Sequence, residues 1–535
     1  MDAVSADARA SRAWVAWALW VVLAGALLAF QLDALFRYPS LRFPRLLLTL
    51  LALGLGASRP AAGLLALLVM TPAANLITQE LLAVPVISLP EHFAVPLCFA
   101  ALLRAGPPPR QRESRIEMWL LAFIAVALLS SIGVFADVAA AVGKAIPGLA
   151  MAVVLENNVF GQFTARVATL KLGKLPPGMW AADALAILTG AALVFRCLID
   201  RAHGVEIRDV ERALGIGLAV LTLVTGIQWL FPFNLDTVYY QTVQPGLFRP
   251  DSVWSDPNSA AAHALLVAPV VAAGLWAQRR HRAMVLAPLM AGFFVVVLTN
   301  SRTAMVAAGV TALLASAWIA WKPAALRLGE QRQVRRRAIA ALGAMVFAPV
   351  VAVATVTAFD IGRDVTYHSA VSRWQTALFS LNLKHGVDDI STGRVRYWQA
   401  GMRMWLSAPW LGIGYGQSAL HKNEFRDPES HEMVVWHGVH QAYLELASEL
   451  GMAGIVVFAG LAAAIATGLR RLLASPVLSH RRRAAGLAAA LAAVAVVSLA
   501  ADWIWRRDAA VLLWACVALV PLALKKNSDA TPPDE

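Results

Sequence analysis

Charge is scarce in this 535-residue chain: 15% of residues are Asp, Glu, Lys or Arg, while 59% are hydrophobic. That balance excludes an ordinary soluble domain, in which about 25% of residues are charged. Cysteine is nearly absent. The three present, Cys98, Cys197 and Cys516, each lie in an apolar run, so neither a disulfide framework nor a cysteine-built metal site is expected. The chain has no Ser-centred nucleophile elbow and no His-Glu-x-x-His motif. Internal repeats and low-complexity tracts are also missing. Length would allow several domains, but the apolar runs recur throughout and read as one continuous membrane domain.

A spanning helix needs about 20 mostly apolar residues. Runs of that kind fall at 14–32, 46–58, 61–79, 84–103, 117–136, 179–198, 213–231, 259–278, 283–299, 303–321, 338–359, 440–469, 485–504 and 509–524. The fold class is therefore all-α, a polytopic transmembrane bundle of about 14 spans (roughly 12–14). The first run, after Arg9 and Arg12, is too long for the core of a cleaved signal peptide and reads as a retained signal anchor.

The net charge of +13 does not point to nucleic acid, because the basic residues cluster in short loops between apolar runs. With the N-terminus placed in the cytoplasm, Arg104 to Arg115, Arg201 to Arg212, Arg279 to Arg282, Lys322 to Arg337, Arg470 to Arg483 and Lys525-Lys526 all fall inside. Both termini are then cytoplasmic. The outer face receives loops at 137–178 and 232–258, a tight turn at Thr299 to Arg302, and a long loop at 360–439. Such a loop is uncommon unless functional or disordered. This one has a helical pattern: Val395, Trp398, Met402 and Trp405 recur at helix spacing, Arg394, Arg396 and Arg403 interleave, and Pro409 stops the run. It reads as an amphipathic helix at the membrane surface, with Trp in the headgroup zone.

Candidate functional residues collect on that outer face. His440 follows the long loop and opens an otherwise apolar helix, so it is a candidate general base at the water edge. Tyr443, Leu444 and Ala447 would share its helical face, whereas Glu445 and Glu449 would point elsewhere. Gly451 and Gly454, further along, would allow close helix packing. Arg302, in the short turn, offers a planar fork to phosphate oxygens. Arg394 and Arg396 suit a diphosphate or lipid headgroup near a helix start. Arg249, Asp251 and Asp256 could line a polar pocket, with Asp256-Pro257-Asn258 a turn and cap signal. Gly412, Gly414 and Gly416 lack the strand–helix context of a dinucleotide loop and read as loop hinges. Asp388-Asp389 is a paired acid with no second ligand set, so no metal is expected. Outside an inner membrane nucleotide sugars and ATP are normally missing, so a transfer reaction must use a donor already activated in the lipid. A polyprenyl diphosphate glycan fits arginines and a helix-lined groove.

HQAYLELASELGMAG, preceded by STGRVRYWQAGMRMWLSAPWLGIGYG and earlier by NSRTA, resembles the O-antigen ligase/polymerase superfamily across residues 213–470. The most specific part is His, then Asn, Ser or Gln, nine residues, Gly, two residues, Gly. His440, Gln441, Gly451 and Gly454 fit it without a gap. The resemblance implies a multi-span inner-membrane protein with its active site facing the periplasm. It implies cofactor-free, metal-independent, inverting transfer from an undecaprenyl-diphosphate-linked glycan donor. It gives His440 the catalytic-base role and Arg302 a diphosphate-binding role, and extends to Arg394 and Arg396 as substrate-binding residues. The reading of the residues themselves adds Gln441, Tyr443, Arg249 and Asp256 as substrate-binding candidates and Gly451 and Gly454 as structural residues. The organisation expected is 1–212 as N-terminal helices, 213–470 as the catalytic membrane core including loop 360–439, and 471–535 as C-terminal helices with a short tail. Ligases transfer to lipid A–core, polymerases to another glycan on the carrier, and protein O-oligosaccharyltransferases to Ser or Thr. Ligase is favoured, since Arg37, Arg42 and Arg45 in the first outer loop suit anionic lipid A. A transporter of lipid-linked glycans would place charge near the bilayer midplane on broken helices. The runs here hold almost none there; exceptions such as Arg196 lie near their ends.

Overall fold

The computed structural model describes residues 2–37, 42–73, 89–107, 114–144, 177–231, 257–299, 301, 303–311, 394–428, 433, 438–502, 504 and 507–528. Among the described residues every regular element is helical. In chain order these include α1 (Asp2–Arg37), α2 (Arg42–Ser58), α3 (Pro60–Met70), α4 (Leu89–Ala105), α5 (Arg115–Lys144), α6 (Pro177–Ile199) and α7 (Ile207–Leu230). Then come α8 (Pro257–Ala277), α9 (Arg282–Leu298), α10 (Arg394–Ser407), the short α11 (Ser418–His421), α12 (Ala442–Leu473), α13 (Leu478–Val497) and α14 (Arg507–Ser528). Apart from α10 and α11, which lie within the expected outer loop, these helices overlap apolar runs read from the sequence. Four of them, α5 over Arg115–Val134, α7, α8 and α12, are long and apolar enough to cross a membrane by length and composition. Shorter apolar helices accompany them. The expected run at 338–359 and the loop before α10 lie outside the described residues.

The bundle is held by small residues where helices cross and by buried ion pairs at helix ends. α8 is rich in alanine and packs between α9 and α13. Gly292 of α9 faces Ala264 and Ala268, and Gly486 of α13 faces Pro269 and Ala273; a Cβ at either glycine would overlap those atoms. Lipid tails are as apolar as leucine, so close backbone approach through small residues drives such contacts. Glu117 of α5 accepts from Trp20 Nε1 of α1 at 2.9 Å and lies 3.0 Å from Arg196 Nε of α6. Arg196 also reaches Asp200 at 2.8 Å. Glu211 of α7 takes two guanidinium contacts from Arg483 of α13, at 2.6 and 3.2 Å, and one from Gln278 at 3.3 Å. Each buried charge thus has its counter-charge, without which burial would be strongly unfavourable.

α12 is not one continuous helix. Gly451 has φ 60° and ψ −156°, a backbone region open essentially to glycine alone. The break frees amides and carbonyls that the loop after α10 then satisfies. Met452 and Ala453 donate to the carbonyls of Pro409 and Trp410 at 2.8 and 3.1 Å, while Ile413 and Gly414 donate to Ser448 and Glu449 at 2.9 and 3.2 Å. The two backbones approach so closely that a Cβ on Gly451 would overlap Trp410, and a Cβ on Gly412 would overlap Glu449. Gly412, Gly414 and Gly416 all have positive φ. The loop glycines and the Gly451 motif are two halves of one joint. This corrects the expectation that Gly451 serves helix–helix packing: its task is to interrupt its own helix. Gly454 is close-packed against the Leu450 side chain one turn back in the same broken helix.

Gly451→Ala should cost about 1–3 kcal/mol from backbone strain and lower the thermal unfolding midpoint of the purified protein in detergent. Gly54→Ala on α2, where a Cβ meets nothing within 4 Å, should leave the midpoint equal or higher.

Candidate functional site

Gln441 decides where α12 begins. Its side chain accepts from the Leu444 amide at 2.7 Å, and its carbonyl takes the Glu445 amide at 2.9 Å, so it is the N-cap and the helix starts at Ala442. His440 therefore stands outside the helix. Its φ is 57°, and Arg279 at 56° is the only other non-glycine residue in that region among those described. The face-sharing with Tyr443, Leu444 and Ala447 expected of a helical His440 does not hold, because the cap intervenes. A left-handed histidine is uncommon, and such strained positions concentrate at functional sites.

α10 positions the imidazole. The Tyr397 and His440 rings meet edge to face, 5.0 Å between centroids at 73°, a favoured aromatic arrangement. One turn along, Gly401 lies against Val439 and Leu444, too close to admit a Cβ. The amphipathic helix read from the sequence thus runs Arg394–Ser407, and its buried stripe clamps the residues leading into α12. The C-terminal end of α13 completes the frame. Its carbonyls lack helical partners and are taken up by the site: Ala442 N–H donates to Ser498 at 3.0 Å, the Tyr443 hydroxyl to Ala495 at 2.9 Å, and Arg394 Nη1 to Ala500 at 2.7 Å.

Beneath His440 lies a cluster of buried charge. Glu449 accepts from the amides of Gly416 at 2.9 Å and Ser418 at 3.0 Å. Glu445 accepts from the Ser418 hydroxyl at 3.1 Å. Gly438, two residues before His440, crosses directly over Glu445, and a Cβ there would overlap Oε1. Lys422 is fully buried, with 0% of its surface exposed. Burial pushes its ammonium down to about 7, against the pull of Glu445 and Asp502 in the other direction. Its Nζ lies 5.6 Å from the Tyr397 ring centroid, and Arg396 Cζ is also 5.6 Å from it. Burial, with Glu449 and Glu445 nearby, holds the Tyr415 phenol well above its ordinary range.

His440, Gln441, Tyr443, Arg394 and Arg396 are therefore brought together around the start of α12. Arg302, Arg249 and Asp256 lie outside the described residues. Near them in sequence, Ser301 donates to Asn258 Oδ1 at 2.9 Å. α8 and α13 run antiparallel, with Arg482 over Trp276 and Gly486 against Pro269 and Ala273. The Asn258 end of α8 is thus at the Ser498 end of α13, the same end of the bundle as His440.

Sequence reading missed Tyr397, Lys422, Glu445, Glu449 and Asp502. Two carboxylates four residues apart on an otherwise apolar helix were a usable signal. The helical wheel placed them away from His440, but that geometry assumed His440 was helical. Lys422 gave none, being one charge in a balanced polar loop.

Residues 287–459 match the family model for O-antigen ligase. This ligase-like segment covers about a third of the chain and contains α10, His440 and the joint at Gly451. The match supports membership of the segment in the O-antigen ligase/polymerase superfamily, a group of glycosyltransferase type acting on lipid-linked glycans. No curated protein matches the chain. α13 and Asp502, which frame the ligase-like segment at its His440 end, lie beyond the matched residues.

Glu449→Ala would strip the partner from two amides, and each buried donor left unpaired costs about 1–3 kcal/mol. Hydrogen exchange at Gly416 and Ser418 should speed up markedly, while exchange in α8 should stay unchanged.

Proposed function

We propose that the protein transfers a glycan from an undecaprenyl-diphosphate-linked donor to an acceptor hydroxyl at the periplasmic face of the inner membrane. The observation that carries this reading is His440, held out of its helix in a left-handed conformation and packed on Tyr397 within the ligase-like segment. An imidazole so placed suits a general base, since its neutral form takes a proton near pH 7. In the reaction, His440 removes the acceptor's hydroxyl proton as the oxygen attacks the anomeric carbon from the face opposite the diphosphate. The carbon–oxygen bond to the diphosphate breaks, and undecaprenyl diphosphate leaves with the electron pair. Configuration at the anomeric carbon inverts, and no metal takes part.

The departing diphosphate needs cations. Arg394 is already engaged with Ala500. Arg396 Nε is buried without a hydrogen-bond partner, which favours Arg396 over Arg394 as a diphosphate ligand. Arg302 is assigned the same task from the family resemblance, supported by the position of its neighbour Ser301 at the His440 end of the bundle. The favoured acceptor is lipid A–core, which makes the protein an O-antigen ligase.

His440→Ala should abolish transfer in proteoliposomes while donor binding is kept; retained transfer would remove the base. Arg302→Ala should weaken donor binding by about tenfold or more, the size of a lost charged hydrogen bond of roughly 1.5–3 kcal/mol. Activity should survive EDTA. Deleting the protein should leave free lipid A–core and polymer on the carrier, whereas single repeat units on the carrier would mean a polymerase.

A further inference from the structure

Lys422 is the buried cation that the proposed reaction does not use. It sits at the end of α11, and its backbone amide bonds to Ser418 at 3.1 Å. The side chain is completely enclosed. Enclosing an ammonium is costly unless opposite charge meets it, and here Asp502 beyond α13 and the Glu445 carboxyl of α12 both lie near enough to act on it. Charge balance alone does not explain why the ammonium lies 5.6 Å from the Tyr397 ring centroid, inside the range where a cation is attracted to an aromatic face. The same ring is the one His440 stands on.

We propose that Lys422 is a positioning residue for His440, acting through the Tyr397 ring that both side chains touch. This rests on the reading of His440 as the base. A base must be neutral before it can accept a proton, and a cation behind its platform disfavours the imidazolium at pH values below about 7, where Lys422 keeps its charge. The ring holds the imidazole at a set height and orientation, and the ammonium holds the ring. Among the described residues, the other charged and titratable groups around the pair include Arg396 on α10, which also lies over Tyr397, Arg394 at the start of α10, Tyr443, Glu445 and Glu449 on α12, Tyr415 in the loop between α10 and α11, His421 beside Lys422, and Asp502 beyond α13. Losing Lys422 removes a positive charge from beside Glu445 and Asp502, and that change also favours a protonated His440.

The test follows the ionisation of His440 itself. Diethyl pyrocarbonate reacts with neutral imidazole, and peptide mass spectrometry reads its addition to His440 as a function of pH in the purified full-length protein. In Lys422→Met the midpoint should rise by about one pH unit, the effect of one charge about 10 Å away, the greatest separation that distances of 5.6 and 5.0 Å to the Tyr397 centroid allow, at an effective dielectric near 20. Lys422→Arg, which keeps the cation, should hold the wild-type midpoint, and exposed His281 should not move in either variant. If Lys422→Met fails to assemble, Lys422→Gln keeps a donor toward Glu445 and carries the same expectation. In a Tyr397→Leu background, where no ring holds the imidazole at that distance from the ammonium, the Lys422→Met shift should fall below half. With the lipid-linked glycan fraction of the source cells as donor, the acid limb of turnover in proteoliposomes should move upward with the midpoint, at unchanged donor KM. An unmoved midpoint in the neutral variants, an equal shift in Lys422→Arg, or a full shift in the Tyr397→Leu background overturns the proposal. Retained transfer by His440→Ala overturns the base reading alone, because the modification midpoint does not depend on turnover.

Discussion

The structure depends on an interruption. A spanning helix satisfies its own backbone, and breaking one leaves polar groups that hydrocarbon cannot satisfy. At Gly451 the chain accepts that break and meets it with another piece of backbone, the 409–414 loop, so that four hydrogen bonds replace the missing helical ones. The result is a rigid corner. Pro409 stops α10, the loop docks on the break, and the first part of α12 is held at a fixed angle to the rest. His440, Glu445 and Glu449 all belong to that first part or its approach, so their places follow from the corner.

The corner also explains why acids tolerate an apolar helix. Glu449 ties the docking loop to α12 by accepting two of its amides. Glu445 lies under the chain that leads to His440 and shares Lys422 with Asp502. Carboxylates fixed this way organise backbone around the imidazole without touching it. A histidine expected to open an apolar helix stands instead ahead of it, over a polar foundation.

Much of the architecture could be read in advance, because a membrane demands long apolar runs and the chain shows them plainly. The amphipathic pattern of α10 and its stop at Pro409 were equally legible. The motif His440, Gln441, Gly451, Gly454 was visible as letters, but its geometry was not. Helical spacing assumes an unbroken helix, and both His440 and Gly451 depart from one. Local propensity places Gly412 to Gly416 in a loop; only the fold shows that this loop repairs the break at Gly451, thirty-odd residues away. Lys422 was hidden for a related reason. A single lysine among mixed charges looks solvated until tertiary packing encloses it.

The last turn of α13 and the residues after it receive Ala442, Tyr443 and Arg394 on their carbonyl oxygens. That anvil lies outside the segment shared with the ligase family. A chimera exchanging only residues 287–459 between two such proteins would transplant the histidine without the surface it is seated on. Swaps intended to change acceptor choice must carry the stretch through Asp502, and grafts that end at 459 would fail for want of a seat, whatever the compatibility of their sugars.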